Sequence, residues 1–456
     1  MTAASRLAAF AVTSDIPDEA RAVARAALQD TVGVILAGAV EPAARITQRV
    51  ARVDGGPGPC HILGTSDQTG PSYAALSNGT AAHALDFDDM CWTTLAHPSA
   101  PLVAAGLAVA EIVDVSGVAF LDAYVVGFEI EAILGTTMNP SHYESGWHCT
   151  STIGTIGATA TAARVLGLDS EQTARAIAIA ASEASGIKEN FGTMVKPLQG
   201  GLAARNGVLA ALLAKESFSA SMGALDGPQG FFVAMQSANK ELSRHVDKLG
   251  LSWEILENGI TVKLYPSCAA THPTIDTLID LKAREKLSTE VIDAVEVDVD
   301  PVTPTVLIYD RPTTGLEGKF SLQYCAAAAL PFGRVGIATF ESDQMRASEV
   351  QRLGSCVTMQ ADPALGSDAP PLTQARVRVR LKDGRVFERF ATGAKGYPEN
   401  PASSSDLDDK FLKCARRAIG QKEAVEALHC LRGVSDTSSV RSLTATLVPF
   451  APQPAP

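Results

Sequence analysis

From about residue 17 to Lys215 the sequence repeats the apolar spacing of α-helices, with Ala and Gly at the positions where helices would touch; past Tyr265 the spacing changes to the two-residue alternation of strands. This change of period limits the fold more than any other feature. Helices are expected near residues 17–36, 72–85, 101–113, 117–134, 151–166, 170–184 and 201–215, the first capped by Asp15 and carrying Ala20, Val23, Ala27 and Val32 on one face. Small residues such as Ala158, Ala160, Ala162 and Ala163 let helix backbones approach closely. Beyond Tyr265, Val295, Val297 and Val299 alternate with Glu296, Asp298 and Asp300. Ala375, Val377, Val379 and Leu381 alternate with Arg376, Arg378, Arg380 and Lys382 before an Asp383-Gly384 turn and a second strand over residues 385–390. Helical spacing resumes at 410–419 and 422–431 after a polar stretch at 396–409, and the Pro-rich tail at 451–456 is expected to be loose. The reading is a mainly α protein: a large all-helical domain from residues 1–265 plus 401–456, and a smaller α+β domain at 266–400.

Composition narrows the function. A chain of 456 residues has room for two or three domains, and 38 basic against 50 acidic side chains leave a net charge of -12 with no clustered Lys and Arg. Nucleic acid and anionic membrane surfaces are therefore not expected partners. With 46% hydrophobic and 19% charged residues the chain should fold rather than stay disordered. Its eight cysteines form no C-x-x-C pair and read as reduced thiols of a cytoplasmic protein. Residues 1–19 are too weakly apolar for a signal peptide, and about 18 unbroken apolar residues, the length of a membrane span, occur nowhere. The chain has no G-x-G-x-x-G after a strand, no G-x-x-x-x-G-K-[ST], no H-E-x-x-H and no G-x-S-x-G, so neither a cofactor nor a metal is expected.

The chemistry-bearing residues stand in polar clusters within apolar sequence. His83-Ala-Leu-Asp86-Phe-Asp88-Asp89 is followed by His97-Pro98-Ser99. Its carboxylates can orient an imidazole, can hold a divalent cation, or can simply cap and solvate a helix end. Gly146-Trp147-His148-Cys149-Thr150-Ser151-Thr152 places a histidine and three hydroxyls at a helix start, a natural anion site, although a buried structural histidine is the plainer reading. Lys196, between Val195 and Pro197 in what reads as an extended segment, must meet an anion if buried and is an ordinary surface lysine if not. Lys263-Leu-Tyr265-Pro266-Ser267-Cys268-Ala-Ala-Thr271-His272 lies at the domain junction, where small-molecule sites often form. In Lys319-Phe-Ser321-Leu-Gln323-Tyr324, Tyr324 is either a site hydroxyl or a core tyrosine.

Together these segments resemble the MmgE/PrpD family, which includes 2-methylcitrate dehydratase, cis-aconitate decarboxylase and iminodisuccinate epimerase. The resemblance runs through N-G-T-A-A-H-A-L-D-F-D-D, H-P-S, G-W-H-x-T-S-T, N-F-G-T-M-x-K-P, K-x-x-P-S-C-x-x-x-H and K-F-S-x-x-Y. It implies a helical domain built from both chain ends, an α+β lid, a homodimer and a small polycarboxylate substrate. It also implies a catalytic set of His97, His148, Lys196, Lys263, Asp86 and Tyr324, with Thr150, Ser151, Gln199, Cys268 and His272 in contact with substrate. Met90 and Cys268 stand where the decarboxylase branch has Thr and His, Gln199 stands where K-P-x-H is common in the family, and several segments look closer to the epimerase pattern.

Abstracting a proton next to a carboxylate creates a dianion, so a base needs cations beside it. The expected activity is that of a cofactor-independent lyase of the dehydratase type on a di- or tricarboxylic acid. An epimerase of the iminodisuccinate type is the runner-up; a carboxylate-binding protein without turnover and a metalloenzyme using Asp86, Asp88 and Asp89 are the rivals from other classes.

Overall fold

The computed structural model describes residues 1–235, 242–366 and 374–449; the tail at 451–456 lies outside them. The chain divides into two units, one of Met1–Glu189, Val195–Val262 and Ser403–Pro456, the other of Asn190–Met194 and Lys263–Ala402. The protein is mainly α with small sheets, the class that the change of period implies.

In the first unit the helices Pro71–His83, Ser99–Val113 and Cys149–Val165 are buried along almost their whole length, so they lack the one-sided apolar stripe of a surface helix. Helix Val195–Lys215 packs on the first and third of these through small residues. A Cβ on Gly201 would lie 2.4 Å from the Leu76 carbonyl oxygen, and one on Gly207 would lie 2.7 Å from the Ala158 Cβ. Any side chain there would push the helix outward, and with it the residues at its N-terminal end. Among the described residues no single helix is long and apolar enough to cross a membrane.

Several boundaries differ from those read in the sequence. Residues 3–13 form a helix that is not among those expected from the sequence; it buries Leu7 and Phe10 and packs on helix Ser170–Glu183. Asp15 caps nothing: the next helix begins at Asp18 after Pro17, with Asp18 and Glu19 in its first turn facing the positive end of the helix dipole. The helix expected from 410 begins at Ser404, because Ser403 and Asp406 make a reciprocal capping box inside the stretch read as polar loop. Lys196 is not in an extended segment. It lies in the first turn of helix Val195–Lys215, where Pro197 is tolerated because first-turn N–H groups have no intrahelical acceptor.

The second unit holds a four-stranded sheet in the order Val357–Ala361, Ile292–Val299, Ala375–Leu381, Val386–Ala391, the first pair parallel and the others antiparallel. The valines of the two central strands are buried under helices. Their charged residues meet across the strands, as in Arg378–Asp298 at 3.0 Å and Arg380–Asp293 at 2.9 Å. Gly384 takes a φ of +89° in the hairpin turn.

Candidate active site

Four short pieces of the first unit converge on one cluster of titratable groups. Helix Pro71–His83 ends at His83, and the chain then reverses through a turn in which Asp86 adopts a left-handed φ of +51°, a conformation that Asp tolerates better than most residues. His97 stands just before helix Ser99–Val113, His148 is the residue preceding helix Cys149–Val165, and Lys196 and Gln199 come from the start of Val195–Lys215.

Lys196, a residue only 3% exposed, donates a hydrogen bond from its ammonium to Asp86 Oδ1. His83 Nδ1 lies 2.6 Å from Asp88 Oδ2, and the same oxygen lies 3.3 Å from His97 Nδ1. His97 Nε2 faces Asp86 Oδ1 at 3.8 Å. The His83 ring is edge-on to His97, with centroids 4.5 Å apart, and stacks on His148 at 5.5 Å. His148 Nδ1 is 2.6 Å from Gln199 Oε1, while Gln199 Nε2 donates to the Ile187 carbonyl at 3.1 Å. The amide is thereby oriented, and His148 must carry its neutral-state proton on Nδ1. Gly186 permits this approach: a Cβ there would lie 2.6 Å from Ser151 Cβ.

Electrostatics separate the roles. Burial, reinforced by His83 and Lys196, holds His148 well below the usual imidazole range, so the ring is neutral at pH 7. Burial also lowers His83, against the pull of Asp88. Burial alone would raise Asp88, but His83 and His97 outweigh it and keep that carboxylate well below its ordinary range.

The three neighbouring carboxylates do not share one coordination sphere: Asp86 goes to Lys196, Asp88 to His83, and Asp89 to the Ser99 N–H at 3.2 Å and to the Ser99 hydroxyl. Asp88 and Asp89 do not solvate a helix end either, since both are fully buried. Among the described residues the one His/Asp group with ligand-type atoms within 4.8 Å of one another is His83, Asp88 and His97, where Asp88 already accepts the His83 proton.

Behind the cluster the Ser99 hydroxyl also contacts Tyr124 OH at 2.6 Å. Burial pushes the Asp89 carboxyl up to about 7, against the hydrogen bonds from Ser99. A raised pKa means that the folded state holds the proton more tightly, so this contribution to stability is complete below the unfolded value near 4 and is lost as pH rises toward 7. Relative to Asp89→Asn, the parent should lose about 1.4 kcal/mol of stability per pH unit across that window. Urea unfolding of both proteins at pH 5 and pH 7 checks this; a difference that stays constant with pH would refute it.

The hydroxyls expected to bind an anion have protein partners. Thr150 Oγ1 accepts the His97 N–H at 3.0 Å, Ser151 donates to the Gln199 carbonyl at 3.1 Å, and Thr152 Oγ1 contacts His142 Nε2 at 2.8 Å. In the second unit Lys263 is fully buried. Cys268 N–H donates to the Lys319 carbonyl at 2.9 Å, and His272 Nε2 contacts the Ser267 carbonyl at 3.2 Å between the rings of Tyr265 and Tyr397. Tyr324 donates its hydroxyl to the Thr339 carbonyl, as a core tyrosine does. Two members of the cluster, His83 and Asp88, were absent from the set expected from the sequence, although both lie inside its first motif.

Residues 5–243 match the MmgE/PrpD N-terminal domain, and residues 265–432 match the MmgE/PrpD C-terminal domain. The chain belongs to the MmgE/PrpD family. This MmgE/PrpD protein is 28% identical to cis-aconitate decarboxylase of Homo sapiens over 391 residues, 83% of this chain and 79% of the relative. It is 27% identical to a cis-aconitate decarboxylase of Aspergillus terreus, covering 95% and 93% of the two chains. A cis-aconitate decarboxylase-like protein of Aspergillus oryzae is 26% identical over 95% of this chain. The MmgE/PrpD protein is thus related to lyases along nearly its whole length.

Proposed function

We propose that this chain is a lyase that removes a proton from the carbon next to a carboxylate of a small tricarboxylic acid and expels water from the neighbouring carbon. The observation that carries the reading is His148, neutral and fixed by Gln199 with its proton on Nδ1, which makes Nε2 the basic nitrogen, beside a buried ammonium at Lys196. In the proposed step the C–H proton passes to His148 Nε2 and the electron pair moves toward the carboxylate, where Lys196 meets the developing charge. The pair then forms the C=C bond as the β C–O bond breaks, and the departing hydroxide takes a proton from His97. Carboxylates face both His97 ring nitrogens, and a neighbouring carboxylate favours a protonated imidazole, which suits that residue to the acid role. For Lys263 the proposal rests on its motif and its burial.

The names of the relatives favour a second reading, decarboxylation of cis-aconitate, in which a C–C bond breaks with loss of CO₂ and the resulting carbanion is protonated. Incubating the protein with citrate, 2-methylcitrate, cis-aconitate and aspartate-derived dicarboxylates in D₂O, followed by NMR, tests both. A new vinyl signal with water lost supports dehydration; loss of CO₂ selects decarboxylation. Deuterium exchange without elimination would replace both with epimerisation. A raised melting temperature with no exchange on any acid would mean a binding protein.

A further inference from the structure

We propose that Asp88 is a positioning residue of this site, holding His97 with a proton on Nδ1 so that Nε2 is the nitrogen that exchanges protons with a substrate. The proposal rests on the acid role given to His97 above, but its first test does not.

One carboxylate oxygen, Asp88 Oδ2, stands 2.6 Å from His83 Nδ1 and 3.3 Å from His97 Nδ1. Two imidazoles therefore turn the same nitrogen toward the same acceptor. An ionised carboxylate can only accept, so both nitrogens must carry protons for the contacts to be attractive. Asp88 is fully buried and ionised. His83 cannot readily give way. Its ring is stacked on His148 with planes 17° apart and set edge-on to His97 at 74°, and a Cβ on Gly200 would come within 3.3 Å of its side chain. The charged and titratable groups around His97 include Asp88 and His83 on one side, Asp86, with its partner Lys196, facing Nε2, and His148, which senses the His97 charge. A positioned carboxylate that fixes an imidazole tautomer without taking its proton is known chemistry for acid–base sites. His83 would act here as a fixed wedge that keeps Asp88 aimed at His97.

The first test needs no variant of Asp88. In uniformly ¹⁵N-labelled protein, long-range ¹H–¹⁵N correlation spectra report which ring nitrogen carries the proton, and comparison with His97→Gln assigns the His97 signals. The neutral form is expected to be protonated on Nδ1; protonation on Nε2 would overturn the proposal. The second test is Asp88→Asn. It should shift the His97 tautomer toward Nε2–H, move the limb of the kcat–pH profile that reports His97 to lower pH, and lower kcat by about 10–10²-fold with little change in KM. A folded Asp88→Asn protein with unchanged tautomer and pH profile would also overturn it. If Asp88→Asn does not fold, the tautomer of the parent decides. A parent with Nδ1–H that turns over no acid would instead sink the lyase reading and leave the positioning intact.

Discussion

His148→Gln is expected to lower kcat by about 10²–10⁴-fold, the usual contribution of a placed general base, with a melting temperature close to that of the parent. The size of the effect follows from the tautomer. Gln199 Oε1 accepts a hydrogen bond from His148 Nδ1–H and Gln199 Nε2 is tied to the Ile187 carbonyl, so the pair cannot exchange donor and acceptor without losing a buried hydrogen bond. Nε2 is thereby the basic nitrogen, and burial beside His83 and Lys196 keeps it unprotonated at neutral pH. Glutamine at position 148 retains an amide that can bond to Gln199 but has no basic nitrogen. Deuterium wash-in from D₂O should fall with kcat, because both report the same proton transfer. Turnover within a few-fold of the parent would remove His148 from the mechanism.

Removal of the buried ammonium should produce the second large loss. Lys196→Met is expected to lower kcat/KM by about 10²–10³-fold, or about 2.7–4 kcal/mol, the cost of deleting one donor to a developing negative charge. It also strips the counter-charge from a buried carboxylate, Asp86, which should cost about 3–5 kcal/mol of folding stability. The double variant Lys196→Met/Asp86→Asn separates the two effects, since stability should return while turnover does not. If turnover returned with stability, Lys196 would be a structural counter-ion only. Lys263→Met is expected to lower kcat/KM by a similar factor, and Lys263→Arg asks whether a compact ammonium is needed. Parental kcat/KM in Lys263→Met would take that lysine out of the proposal.

Much of this was legible before any coordinates. Alternation over Ala375–Leu381 with an Asp-Gly turn is a local pattern, and the strand forms there because Val377 and Val379 fall on the buried face while Arg376 and Arg378 lie opposite Asp298 and Glu296. The small residues of helix Cys149–Val165 likewise foretold close packing. Boundaries failed where a cap decided them. Ser403 and Asp406 start a helix inside a stretch that looks polar in composition, and Pro197 looks like a helix breaker until it is placed in the first turn.

By itself the sequence determined the period of each segment and the motifs that carry the family, because both depend on residues close together in the chain. Only the tertiary structure decided which acid serves which base. Asp86, Asp88 and Asp89 look equivalent in sequence. The left-handed turn at Asp86 sends their carboxylates to three different neighbours: Lys196, 110 positions further on, the imidazoles of His83 and His97, and Ser99 with Tyr124 behind it. The carbonyl of Phe87, in the middle of that turn, is held by Lys410 from a helix 323 residues away, itself paired with the buried Asp30. Burial makes each pairing obligatory, because a charge left without its partner in an apolar interior costs several kcal/mol, and burial is a property of the packed helices rather than of any one segment.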